Sequence, residues 1–157
     1  MQRREFLIGT GATALLAGAS GLALAAEKES EWIYLSPFKS DGSLSRCQAE
    51  VWFVGDEGNF YVVTAADAWR AEAPRRGLTR TQVWVGMAGM WQRSDGAYLK
   101  LPSLQAQASL VGNAGEHARL LTRFGDKYSG EWGTWGPRFR NGLADGSRVM
   151  LRYQPLS

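Results

Sequence analysis

The stretch that decides the fold reads Arg46-Cys47-Gln48-Ala49-Glu50-Val51-Trp52-Phe53-Val54-Gly55-Asp56-Glu57-Gly58-Asn59-Phe60-Tyr61-Val62-Val63-Thr64. From Arg46 to Val54 the side chains alternate: Cys47, Ala49, Val51 and Phe53 share one face, and Gln48, Glu50 and Trp52 share the other. A period of two is that of a half-buried strand. Gly55 to Gly58 supplies a short hairpin loop, and Asn59 to Thr64 runs back antiparallel.

Working outward, Trp32 to Leu35 reads as a short strand stopped by Ser36-Pro37, and Lys39 to Ser43 is turn chemistry centred on Asp41-Gly42. On the other side, Asp67 to Ala73 predicts a short helix broken before Pro74. Thr79 to Gly86 is a third long strand, with Thr81, Val83 and Val85 alternating against Gln82 and Trp84. Ser94-Asp95-Gly96 predicts a second hairpin, followed by extended segments over Ala97 to Leu101 and Gln105 to Val111. Asn113 with Glu116 three positions on resembles a helix N-cap, and Leu120, Leu121, Phe124 and Tyr128 follow at helical spacing. Trp132, Trp135, Phe139 and Leu143 continue that spacing, but Gly133, Gly136 and Pro137 predict short, irregular helical pieces there. Asp145-Gly146 then turns the chain into a closing strand, Ser147 to Tyr153. Six or seven strands joined by tight turns, a short helix after the third and a helical insertion before the last describe an α+β, mainly antiparallel barrel.

The first residues, Met1-Gln2-Arg3-Arg4-Glu5-Phe6-Leu7-Ile8, set two arginines before a mildly apolar run that ends in Ala23-Leu24-Ala25, an A-x-A processing site. Arg3, Arg4, Phe6 and Leu7 match the core of a twin-arginine translocation signal, which the segment resembles. The rival readings are an ordinary secretory signal and an uncleaved anchor; the glycines and threonines of the run and its A-x-A end argue for removal. The resemblance implies a cleaved signal over 1–26, a periplasmic or secreted protein without stable membrane anchoring, and export in a folded state. That route often serves proteins that receive a cofactor in the cytoplasm.

Residues 27–157, about 130, make one domain by length. Cys47 is the single cysteine, so no intrachain disulfide forms, and the lack of C-x-x-C-H excludes covalently attached haem. With His117 the single histidine, no zinc site of recognisable spacing can be assembled, and no metal is expected. No G-x-S-x-G occurs and no carboxylates sit at informative spacing, so no catalytic residue is assigned. The formal net charge of +3 is too small to argue for nucleic acid. Arg70, Arg75, Arg76 and Arg80 are nevertheless clustered, opposed by Glu72; an anionic ligand and a solvated loop both account for that. Seven tryptophans fill every segment of the mature chain, mostly as core, with one or two available for stacking on a planar ligand.

This order of elements looks like the split β-barrel of flavin-binding proteins related to pyridoxamine 5′-phosphate oxidase, over Trp32 to Pro155. The carrying features are Asp41-Gly42 ahead of Glu50-Val51-Trp52-Phe53, Gly58 to Thr64, the helix with basic residues behind it, and Asp145 to Pro155. The resemblance implies FMN, or a deazaflavin, held between two protomers of a homodimer; the methionines and tryptophans at Trp84, Met87, Met90 and Trp91 suit a contact surface. It also implies a phosphate grip at Arg46, Thr64, Arg70 and Arg80, with Trp69 beside it. The short helix departs from the pattern by offering Trp69-Arg70 where the family has lysine, and Gln48 and Glu50 stand where it has a basic, apolar run. The activity implied by the resemblance is that of an FMN- or deazaflavin-dependent oxidoreductase acting on a small organic substrate. The alternative is a non-catalytic carrier of flavin, haem or a small metabolite.

Overall fold

The computed structural model describes residues 30–46 and 48–157; the expected export signal and Cys47 lie outside the described residues. Seven antiparallel strands, β1 (Trp32–Pro37), β2 (Ala49–Trp52), β3 (Val54–Asp56), β4 (Asn59–Ala65), β5 (Arg80–Val85), β6 (Ser103–Val111) and β7 (Arg148–Pro155), join in the order β2-β1-β5-β6-β7-β4-β3. With three helices, α1 (Trp69–Arg75), α2 (Ala114–Lys127) and α3 (Trp132–Asp145), they form a nearly closed α+β split barrel, as the sequence predicts.

The alternating stretch from Arg46 to Val54 is divided rather than continuous. Ala49–Trp52 pairs with β1 at one end of the sheet, and Val54–Asp56 pairs with β4 at the other. Phe53 is the one residue between them, so the chain itself bridges the two ends of the sheet. Its freed backbone groups are satisfied by a side chain: the Phe53 N–H donates to the Tyr128 hydroxyl at 3.0 Å, and the Phe53 carbonyl lies 2.9 Å from the same oxygen. A buried corner without such a partner costs about 1–3 kcal/mol per orphaned group. The β3–β4 turn is tighter than the four-residue loop expected. Glu57 (φ 48°) and Gly58 (φ 80°) are both left-handed, as a two-residue hairpin matched to strand twist requires.

Three apolar clusters result. Phe53, Phe60, Val62, Leu104, Leu151 and Tyr153 are among those filling the barrel interior. On the outer face of β3, β4 and β7, Val54, Tyr61, Val63 and Met150 pack under Leu120 and Phe124 of α2 and Phe139 of α3. The Asn113 carboxamide oxygen accepts from the Glu116 N–H at 2.9 Å, the predicted cap of α2.

Other local expectations are corrected. Ala97–Lys100 is a 3-10 turn, not a strand, because it folds with the preceding loop over the outer face of β1 and β5, where Tyr98 stacks on Tyr34 at 5.1 Å. The Ser94-Asp95-Gly96 turn therefore links two 3-10 turns instead of two strands. Trp132–Asp145 is one 14-residue helix: Pro137 is exposed, and the buried Phe139 with its half-buried neighbours Trp132 and Trp135 repays the backbone bond it lacks. Helix α1 starts two residues later than expected and runs one residue past Pro74.

Candidate functional site

The split in the barrel makes the site. Before Phe53, β2 stays with β1, while β4 continues past the start of β3, so Val62–Ala65 has a ladder partner only in β7. Between these strand edges, closed on the outer side by α3, lies a cleft of about 530 Å³. That is within the ~300–1,000 Å³ of small-molecule sites.

Its walls differ in chemistry. One is aromatic: Trp52, Trp135 and Phe139 all line it, with Trp52 edge-on to Trp135 at 6.0 Å and to Phe139 at 6.4 Å. Another carries Thr64 at the end of β4 and Arg70 in the first turn of α1. The Arg70 Nε is buried with no hydrogen-bond partner, and its guanidinium makes no ion pair with any described residue. The Trp69 Nε1 beside it is likewise buried and unpartnered, with the Arg76 guanidinium 5.6 Å over its ring. Two carboxylates also face the cleft, Glu50 and Glu131. Glu50 accepts from the Trp91 N–H at 3.2 Å, which ties the loop over β1 and β5 to the cleft edge.

Thr64 and Arg70, then, are brought together in the cleft, with Trp69 adjacent in the chain. Arg46 is exposed in the loop before β2 and does not line it. Arg80 does not line it either: it lies at the start of β5 with its guanidinium 4.3 Å over the Phe38 ring. The basic cluster thereby resolves into unlike parts. Arg76 and Arg75 pair with Glu72 at 3.0 and 3.6 Å, and Arg75 also donates to the Ala66 carbonyl at 2.7 Å. The Arg76 hydrogen bond holds the Glu72 carboxyl below its ordinary value. Of the four arginines, Arg70 is the one that lines the cleft.

Sequence reasoning missed Arg148, the first residue of β7, whose guanidinium lies in the cleft 5.4 Å over Phe139 and 5.9 Å over Trp135. The available signal was its position directly after the Asp145-Gly146-Ser147 turn, which brings the start of β7 beside Ala65. His117 is elsewhere, with its ring nitrogen on the Val111 carbonyl. Among the described residues no group of His, Cys, Asp and Glu is placed to hold a metal ion, and no helix is long and apolar enough to cross a membrane.

No protein-family model matches the sequence, and no curated protein matches it. Solved structures do match in fold. HutZ, the heme storage protein from Vibrio cholerae, superposes with a TM-score of 0.57 at 14% identity, covering 85% of this chain and 87% of that one. A putative pyridoxamine 5′-phosphate oxidase from Listeria innocua gives 0.56 at 16% identity, over 88% and 94% of the two chains. An F420 reductase gives 0.53 at 12% identity, over 85% and 92%. The structural neighbours are thus split-barrel proteins of the pyridoxamine 5′-phosphate oxidase type, and at these identities the likeness is one of fold.

Proposed function

We propose that the protein binds a flavin, FMN or a deazaflavin, in the cleft between β2 and β4, and works as an exported oxidoreductase on a small organic substrate. The observation that carries this reading is Arg70: a guanidinium with a buried, unpartnered Nε, in a cleft that Thr64 also lines and that has an aromatic wall. Burying a donor without a partner is costly, and a phosphate dianion supplies what Arg70 lacks.

The residues present fit such a group. Arg70 and Thr64 would hold the phosphate, and the free edges of β2 and β4 offer backbone donors and acceptors to a flat heterocycle. Trp52 and Trp135 supply apolar surface against a ring and keep water from it. Once bound, a flavin supplies hydride transfer itself, so the chain need only bind, orient and exclude solvent. Glu50 would weigh against an anionic reduced ring, and its bond from the Trp91 N–H draws off part of that charge. Haem fits less well, because His117 does not line the cleft and no imidazole is there to act as an axial ligand.

A homodimer belongs to the same reading. Met87 and Met90 are about half exposed, on the loop that packs over β1 and β5, and methionine and tryptophan at a surface suit an interface. Light scattering at micromolar concentration is expected to give twice the monomer mass.

The deciding experiment is an absorbance spectrum of the precursor purified from cytoplasm, followed by FMN titration of the refolded chain with tryptophan fluorescence as the signal. A yellow protein, or saturable quenching, is expected. A colourless precursor with no response to FMN or deazaflavin overturns the reading. Reduction of the bound chromophore by a nicotinamide then separates an enzyme from a carrier.

A further inference from the structure

Arg148 is seated with unusual care for a residue with no polar partner. Its aliphatic stem lies on Gly142 of α3: a Cβ there would meet its Cγ and Cδ at 2.6 Å and its Cβ at 2.9 Å. Only glycine leaves room for that approach, here in the last turn of α3. Phe139 and Trp135 hold the guanidinium from the side, at 5.4 and 5.9 Å. The same cleft contains two carboxylates, Glu50 and Glu131, yet neither forms an ion pair with Arg148, whose side chain makes no hydrogen bond to any described residue. A guanidinium fixed by packing and left without a counter-ion is arranged in advance for an anion that comes from solution.

We propose that Arg148 is a second anion contact of the cleft, separate from Arg70, and that it receives the carboxylate of a small organic acid with a flat apolar body. Gly142 is its positioning residue. The inference rests on the flavin reading for its meaning, since it names the substrate class that would meet the cofactor. The apolar surface of Trp135 and Phe139 beside the guanidinium sets the preference: it suits a hydrocarbon body joined to the anion and gives a free, fully hydrated ion little.

The test is calorimetric titration of the full chain with sodium benzoate, with FMN titrated in parallel. Wild type is expected to bind benzoate, Arg148→Gln and Gly142→Ala to weaken it roughly tenfold or more, and Arg148→Lys to fall between. Arg138→Gln is the control: that exposed arginine also lies over Trp135, at 4.9 Å, but does not line the cleft, and its loss should leave benzoate affinity unchanged. FMN affinity should stay within twofold of wild type in Arg148→Gln. Absence of benzoate binding to wild type, or equal binding by Arg148→Gln, overturns the proposal. A parallel loss of FMN affinity in Arg148→Gln also overturns it, by assigning Arg148 to the flavin phosphate. If wild type takes benzoate in an Arg148-dependent way but never FMN, the flavin reading falls and the anion site stands.

Discussion

The Trp52 indole lies flat on the Tyr128 ring, with centroids 4.2 Å apart and planes 5° apart. The pair couples the cleft to the corner of the barrel, because Trp52 lines the cleft while the Tyr128 hydroxyl accepts from the Phe53 N–H and reaches the Glu31 carbonyl at 2.7 Å.

Tyr128→Phe keeps the stacked ring and removes the hydroxyl, leaving the buried Phe53 N–H without its partner. The expected cost is about 1–3 kcal/mol, read as a lower urea midpoint. Because the ring stays, the near-ultraviolet signal of Trp52 should persist in the folded variant. An unchanged midpoint would show that water replaces the hydroxyl at the corner.

Arg70→Ala is expected to weaken FMN binding at least tenfold, the loss of a charge-assisted bond to a dianion. Apo-protein stability should barely move, since Arg70 has no ion pair to lose. Arg80→Ala, which removes a guanidinium stacked on Phe38 outside the cleft, should leave FMN affinity close to wild type. Equal weakening by both variants would mean that the phosphate is gripped by the basic segment as a whole.

Trp132 is slotted between two glycines. A Cβ on Gly125 of α2 would lie 2.8 Å from its Nε1, and one on Gly136 of α3 would lie 2.8 Å from its Cε2. Gly136→Ala would gain up to about 1 kcal/mol of helix propensity on an open face. Here the displaced indole should win, with a net loss of about 1–3 kcal/mol. Thermal unfolding of Gly136→Ala beside Gly133→Ala, where a Cβ meets nothing within 4 Å, separates the two effects.

Three turn and helix carboxyls are held below their ordinary values: Asp41 by the Ser43 hydroxyl and N–H, Asp145 by Ser147, and Glu72 by Arg76. A carboxyl with a lowered folded-state value stabilises the fold above its unfolded-state value and ceases to do so as pH falls through the folded one. The urea midpoint should therefore be flat from neutrality down to about pH 5 and decline below it. Asp145→Asn should shallow that decline, and an unaltered acid limb would assign it to other groups.

Changing Arg3 and Arg4 together to lysine should retain the precursor in the cytoplasm, because the twin-arginine route depends on the pair. Cell fractionation and blotting read this directly. Continued export would place the protein on the general secretory route.

What the sequence made legible is what local chemistry encodes. The alternation through Val51 and Phe53, the Asn113 cap and the Asp145-Gly146 turn all appear where periodicity and turn residues put them. The corner at Phe53 was not legible, since nothing in the run Trp52-Phe53-Val54 shows that the residues on either side pair at opposite ends of a sheet; that depends on Tyr128, far along the chain. Tyr98 and Leu101 likewise suit a strand or a folded loop, and the outer face of β1 and β5 decides between them. In the cleft, Thr64 and Arg70 were reached through the family resemblance, which offered Arg46 and Arg80 alongside them, and those two do not line it. Arg148 was not reached, because its seat is a glycine on the preceding helix whose purpose only packing reveals.

The place of β7 between β6 and β4 has a consequence for the making of the protein. Tyr61 and Arg152 face each other across the β4–β7 ladder, 91 positions apart in the chain. As the chain leaves the ribosome, the β3–β4 hairpin therefore waits, with one edge bare, until β7 has been synthesised. A lone two-stranded hairpin is marginal in water, and contacts of such long range close slowly. The barrel thus stays open until β7 has been made, and that strand locks the β3–β4 hairpin, made far earlier, into place.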